Sequence, residues 1–205
     1  MALADLSFKL YTDSGLTTPY GGTTTLVHES DFSDNPQDIQ LWFGSTLSNR
    51  KLQAQSNPSV DQVTLTPTDT LPEWEASTAY TLGQTVEPTV DNTYRYVVTI
   101  AGTSDATEPA SWPTSIGSTV VDGTVTWTCI AKSHQPTEIK LASTAAGLDG
   151  ATGGAALSLG ATLLGGVANA VEVNIRIENA VPTVSSNVGY PELALYINAV
   201  VESVI

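Results

Sequence analysis

The sequence predicts an all-β protein: a discontinuous antiparallel β-sandwich, Ig-like or jelly-roll-like, with a small inserted β-module. Three observations lead there. Apolar and polar residues alternate with period two in short runs toward both ends of the chain, clusters of Gly, Pro, Asn and Asp separate those runs, and helical patterns are scarce. Three of the four Trp and three of the seven Tyr fall between Glu73 and Lys132, which sets that segment apart from a chain otherwise rich in Thr, Ser, Ala, Gly and Val.

Taken in order, the expected strands begin with Leu6, Phe8 and Leu10, followed by Ile39, Leu41 and Phe43, then Val63 and Leu65. Ile139 and Leu141 open the second series. Val171, Val173, Ile175 and Ile177 then face one way while Glu172, Asn174, Arg176 and Glu178 face the other, the pattern of a half-buried antiparallel strand. Leu193, Leu195 and Ile197 close it. The connecting stretches "DSGLTTPYGG", "SDNPQD" and "SNPSVD" hold the residues that reverse a chain. "LASTAAGLDGATGGAALSLG" is Ala-rich, but its Gly, Ser and Thr disfavour a helix, so one short turn is the most it predicts. A single sheet would leave its apolar face wet, hence the sandwich.

"VDQVTLTPTD" ends just before the aromatic segment and "QPTEIKLAST" begins just after it. Both read as strands of one architecture that would lie a short hairpin apart without the intervening residues. The predicted organisation is therefore a host of residues 1–72 plus 133–205, interrupted by a module of residues 73–132.

Charge narrows the function. The 205 residues carry 21 acidic and 7 basic side chains, a formal charge of −14, which repels phosphate backbones and anionic lipid. Neither nucleic acid nor membrane is an expected partner. Cys129 is the lone cysteine, expected to be a buried core thiol in "TVTWTCIA", so no internal disulfide is expected. No apolar stretch of signal-peptide length follows Met1, so synthesis in a host cytoplasm is the expectation.

Within the module, Trp74, Tyr80, Gly83 and Val86 form "W-x5-Y-x2-G-x2-V", followed by Tyr94 and Tyr96 of "YRY", "AGTSDATEPASWP" and the closing "VDGTVTW". This pattern resembles a small β-module of phage virion and tail proteins that is related to the chitin-binding modules of bacterial chitinases. The host halves, with "LYTDSGLTTPYGG" and "LWFGS", look similar to accessory proteins encoded among phage structural genes. The resemblance implies a virion component, of head decoration, neck or collar, or tail accessory type. Its implied partners are capsid, neck or tail proteins, copies of itself, and a host surface glycan reached by the module. Trp74, Tyr80 and Trp127 are expected to form the module's core. Trp112, in a loop-like stretch, and one of Tyr94 and Tyr96 are the expected exposed rings and the candidates for glycan binding.

Candidate chemistry is sparse. His28 and His134 lie far apart in sequence and no zinc spacing includes them. Glu29, Asp31, Asp34 and Asp38 crowd into "HESDFSDNPQD", whose spacing departs from an EF-hand and reads as a turn that solvates its acids. No catalytic residue, metal or cofactor is expected. The leading expectation is a structural protein of a phage particle, oligomeric and most plausibly trimeric, or monomeric until it docks. A glycan-attaching carbohydrate-binding protein is the alternative, and a polysaccharide-acting enzyme comes third.

Overall fold

A computed structural model describes residues 6–29, 31–181 and 192–205. The chain enters through strands β1 (Lys9–Tyr11), β2 (Gln37–Gly44), β3 (Arg50–Ala54) and β4 (Val63–Asp69). Six shorter or aromatic-rich strands follow: β5 (Ala79–Tyr80), β6 (Thr85–Val86), β7 (Tyr94–Ile100), β8 (Gly102–Thr103), β9 (Thr119–Asp122) and β10 (Val125–Lys132). The remainder are β11 (Ile139–Ala142), β12 (Leu157–Gly160), β13 (Thr162–Leu164), β14 (Val171–Ile177), β15 (Leu193–Ile197) and β16 (Val200–Val204). The fold is all-β, as the alternation predicts. The Ala-rich stretch supplies one short 3-10 turn, Ala145–Gly150, capped by Thr144, whose side chain accepts from the Gly147 N–H.

Two compact units result. One holds residues 6–68, 136–181 and 193–205, and the other holds residues 69–135 together with Glu192. The contact boundaries thus lie a few residues outside the expected 73–132, and Glu192 joins the second unit from far along the chain.

In the first unit the sheets run β1-β2-β14-β11, β12-β4-β15 and β13-β3-β16. The antiparallel register sets Leu41 opposite Val173 and Ile39 opposite Ile175. Leu41, Phe43, Val173 and Ile175 of the first sheet share one buried core with Leu52, Val63, Leu65, Leu163 and Ile197 of the other two. Facing sheets that share such a core form a sandwich. Each Leu or Ile buried this way contributes about 1.5–3 kcal/mol.

Two local expectations differ from the structure. The strands flanking the module, β4 and β11, do not make a hairpin: β4 pairs with β12, while β11 pairs with β14 in another sheet. Matched strand character established their type and left their partners open. Asn174, expected on a polar face, is also buried; it lies on a central strand and donates to the Glu172 carboxylate at 2.8 Å.

The second unit is built on the sheet β6-β7-β10-β9, with the small pair β5-β8 beside it. Inward residues alternate along β10, where Val125, Trp127, Cys129 and Ala131 are buried. They pack with Val86, Tyr96 and Val98 from the neighbouring strands. Burial pushes the Cys129 thiol above its ordinary pKa, which suits an inert core residue.

Candidate functional site

A module this small must close its core with large rings. Trp127, fully buried on β10, is the centre: Tyr80 meets it edge-on at 4.7 Å and Trp112 lies 5.9 Å away. Trp74, from the chain entering the module, is buried as well, so the expected core of Trp74, Tyr80 and Trp127 is present.

Beneath these rings sits a carboxylate that sequence reasoning missed. Asp122, at the end of β9, is 3% exposed, and its Oδ2 accepts the Trp74 indole N–H at 2.7 Å and the Trp127 indole N–H at 3.1 Å. Its Oδ1 accepts the Asp105 backbone N–H at 2.9 Å. One side chain therefore ties the entry of the module, its central strand and the "GTSDAT" loop together. The same loop is pinned by Ser104, whose hydroxyl donates to the Glu75 carbonyl and accepts from the Thr78 N–H. Asp122 precedes Gly123, which has φ +57° and would place a Cβ 2.4 Å from the Thr103 carbonyl oxygen, so only glycine fits that turn.

The three candidate glycan residues do not form an exposed platform. Trp112 is 9% exposed, 4.5 Å from Tyr96 between ring centroids, with its indole N–H donated to Glu108 at 3.0 Å. Its loop folds over the sheet and uses the ring to close the core, which outweighs any tendency of a loop residue to stay in solvent. Tyr96 is fully buried; its hydroxyl donates to the Pro113 carbonyl and accepts from Asn92. Tyr94, two residues away and hence on the same side of the strand, is half-buried against the same core. Trp112→Ala is accordingly expected to cost about 3–5 kcal/mol, the price of an emptied aromatic site, rather than to leave folding intact. Urea unfolding of the variant checks this.

An edge of Trp112 does reach the surface. Pro88, Val90, Asn92, Glu108, Pro109 and Trp112 are among the residues lining an open groove of about 360 Å³. Val90 is 82% exposed on its rim. Thr89 donates its N–H and its hydroxyl to Glu108, so the carboxylate that holds Trp112 also fixes the opposite wall.

The module's other unusual feature is a carboxyl pair. Glu87 is 8% exposed, and burial, reinforced by Asp69, Asp91 and Glu73, raises its pKa to about 7. Asp69 is also raised, first by burial and then by Asp91. The like charge of Asp69 nearby disfavours ionisation of the buried Glu87. The folded-state pKa of Glu87 lies above its unfolded value near 4.5, so its contribution is complete below about pH 4.5 and is lost as pH rises through about 7. The melting temperature of the second unit should thus fall between pH 5 and pH 8, and Glu87→Gln should remove that part of the fall. An unchanged pH profile in the variant would contradict the assignment.

The acidic loop behaves as a turn. Asp34 accepts the Glu29 N–H, which holds its carboxyl below its ordinary pKa, and the Ser33 hydroxyl together with the Ser33 N–H lowers Asp31 likewise. Asp38 is engaged instead by the Arg176 guanidinium through two hydrogen bonds. Among the described residues no three His, Cys, Asp or Glu side chains converge as metal ligands.

Fold and site together define a two-unit all-β protein whose second unit has its own aromatic core, a buried carboxylate joining two indoles, and a groove at one edge. No family model matches the chain, and no curated protein or solved structure matches it either.

Proposed function

We propose that this protein is a structural component of a bacteriophage particle, of capsid decoration, neck or collar, or tail accessory type. It binds other virion proteins and copies of itself and displays its module outward. The observation that carries the reading is the splice: β4 leads out of the sandwich core into a unit with a separate core, and β11 resumes the sandwich after it. A carrier interrupted by a self-cored module is an economical way to present one surface many times on a repeated assembly. The resemblance of the module's sequence pattern to virion β-modules supports taking that assembly as a phage particle. Quantitative mass spectrometry and antibody labelling of purified particles test it. The chain is expected in fixed proportion to the major capsid or tail protein, and its absence from clean particles would overturn the proposal.

A second reading, attachment to a cell-surface glycan, is favoured by the groove beside Trp112. Avidity from many copies makes even millimolar sites useful. On a glycan array, binding that Val90→Arg abolishes without lowering the melting temperature supports this reading, whereas binding indifferent to that change removes the groove from it.

A further inference from the structure

The chain enters the module through a short strap. Leu71, Pro72 and Glu73 lie between the end of β4 and Trp74, and Pro72 and Glu73 are exposed, so little apolar contact holds them. What holds them is the backbone of Glu87, just past β6. Its N–H donates to the Pro72 carbonyl at 3.0 Å, its carbonyl accepts the Trp74 N–H at 2.8 Å, and Glu73 forms an isolated parallel bridge with it. The side chain of the same residue is buried, and among the described residues nothing hydrogen-bonds its Oε2. The charged groups facing it are carboxylates from three segments: Asp69 at the end of β4, Asp91 in the turn between β6 and β7, and Glu73 on the strap itself. A neutral carboxyl can remain in such a place. A carboxylate that lacks a donor and faces like charges is strongly disfavoured there.

We propose that Glu87 is a proton-operated latch: neutral, it keeps the strap of residues 71–73 on the end of β6, and by ionising it releases the strap while the core around Trp127 stays folded. Release admits water to the carboxylate and carries Glu73 away from it. Only two backbone hydrogen bonds are given up, whereas unfolding the whole module to the same end would also expose Tyr80, Tyr96, Trp112 and Trp127. The Trp74 indole, tied to Asp122, stops the opening at that residue. In the closed form burial, followed by Asp69, raises the pKa of Glu87 from 4.5 to about 7, and opening returns it toward the ordinary value with loss of a proton. The strap is therefore fully latched below about pH 4.5 and loosens progressively as pH rises to about 7. On a particle this would add free chain ahead of Trp74 as the surroundings turn from acid to neutral, but the latch does not depend on the particle reading.

Amide hydrogen exchange of the purified full chain, followed residue by residue, tests the latch. In the native protein the protection of the Trp74 and Glu87 amides should fall at least tenfold, on the order of the proton linkage, from about pH 5 to about pH 8. It should be indifferent to low urea, because opening the strap exposes little surface. The Cys129 amide, which donates to the Ser118 carbonyl at 2.9 Å, should exchange far more slowly and with the urea dependence of whole-unit unfolding. Glu87→Gln should hold both strap amides near their acid-state protection throughout. Should that variant not fold, Asp69→Asn serves instead: it keeps an oxygen for the Leu71 N–H, removes the strongest like charge, and should reduce the fall. Native protection independent of pH, a fall undiminished in the folded variant, or strap amides with the urea dependence of Cys129 would overturn the latch. Each of these outcomes leaves the particle reading to be decided by the composition of purified particles.

Discussion

Asp122→Ala is expected to destabilise the second unit by about 3–5 kcal/mol, comparable to the whole stability of many small domains. The variant leaves the Trp74 and Trp127 indole N–H groups and the Asp105 amide without their acceptor in a buried site. Each stranded donor costs about 1–3 kcal/mol. Asp122→Asn should also be costly, since one oxygen must serve donors now divided between two and the new NH₂ confronts an N–H. Urea titration followed by tryptophan fluorescence reads the effect directly. A loss below about 1 kcal/mol would mean that the carboxylate is not what holds the rings together.

The second large effect is expected at Glu192. Glu192 is 1% exposed, accepts from the Arg95 guanidinium at 2.6 Å, and accepts the His134 backbone N–H at 3.1 Å. Its backbone carbonyl receives both the amide and the hydroxyl of Thr70. Glu192→Ala keeps the backbone bonds but removes a buried carboxylate that accepts from Arg95, itself only 8% exposed, and from the His134 N–H, with an expected loss of about 3–5 kcal/mol. Replacing both partners with apolar residues, Arg95→Met with Glu192→Leu, should recover much of that loss, because the pair's two buried charges are removed together. A double variant as unstable as Glu192→Ala would show that packing, and not the buried charge, dominates.

How legible these features were depends on how local their causes are. β4 could be read because one face is buried and the period-two pattern follows, while β2, β11, β14 and β15 were marked by the alternation of their apolar residues in the sequence. β3 escaped notice because its five residues, Arg50 to Ala54, hold only Leu52 and Ala54 as apolar side chains, too few to show a period-two run. β16 escaped for another reason, since four of its five residues are uniformly half-buried. Core aromatics at Trp74, Tyr80 and Trp127 follow from composition, as a small unit has few other large side chains. Trp112 looked like a surface ring because Ser111 and Pro113 flank it, yet the loop folds back on Tyr96. Asp122 stands before a turn glycine, where Asp is ordinary, so nothing local marks it as an acceptor for indoles 48 and 5 residues away. Glu192 lies 97 residues from Arg95, a separation at which no pattern in one sequence signals a pair.

Calorimetry of a chain in which residues 73–132 are replaced by a flexible Gly-Ser linker, since β4 and β11 lie in different sheets, asks most directly whether a self-cored module is carried by an independent sandwich. The expected product is soluble and melts in one cooperative transition, because the core of Leu41, Phe43, Leu52, Val63, Val173 and Ile175 is intact. An unfolded or aggregated product with no transition would contradict the division into carrier and module.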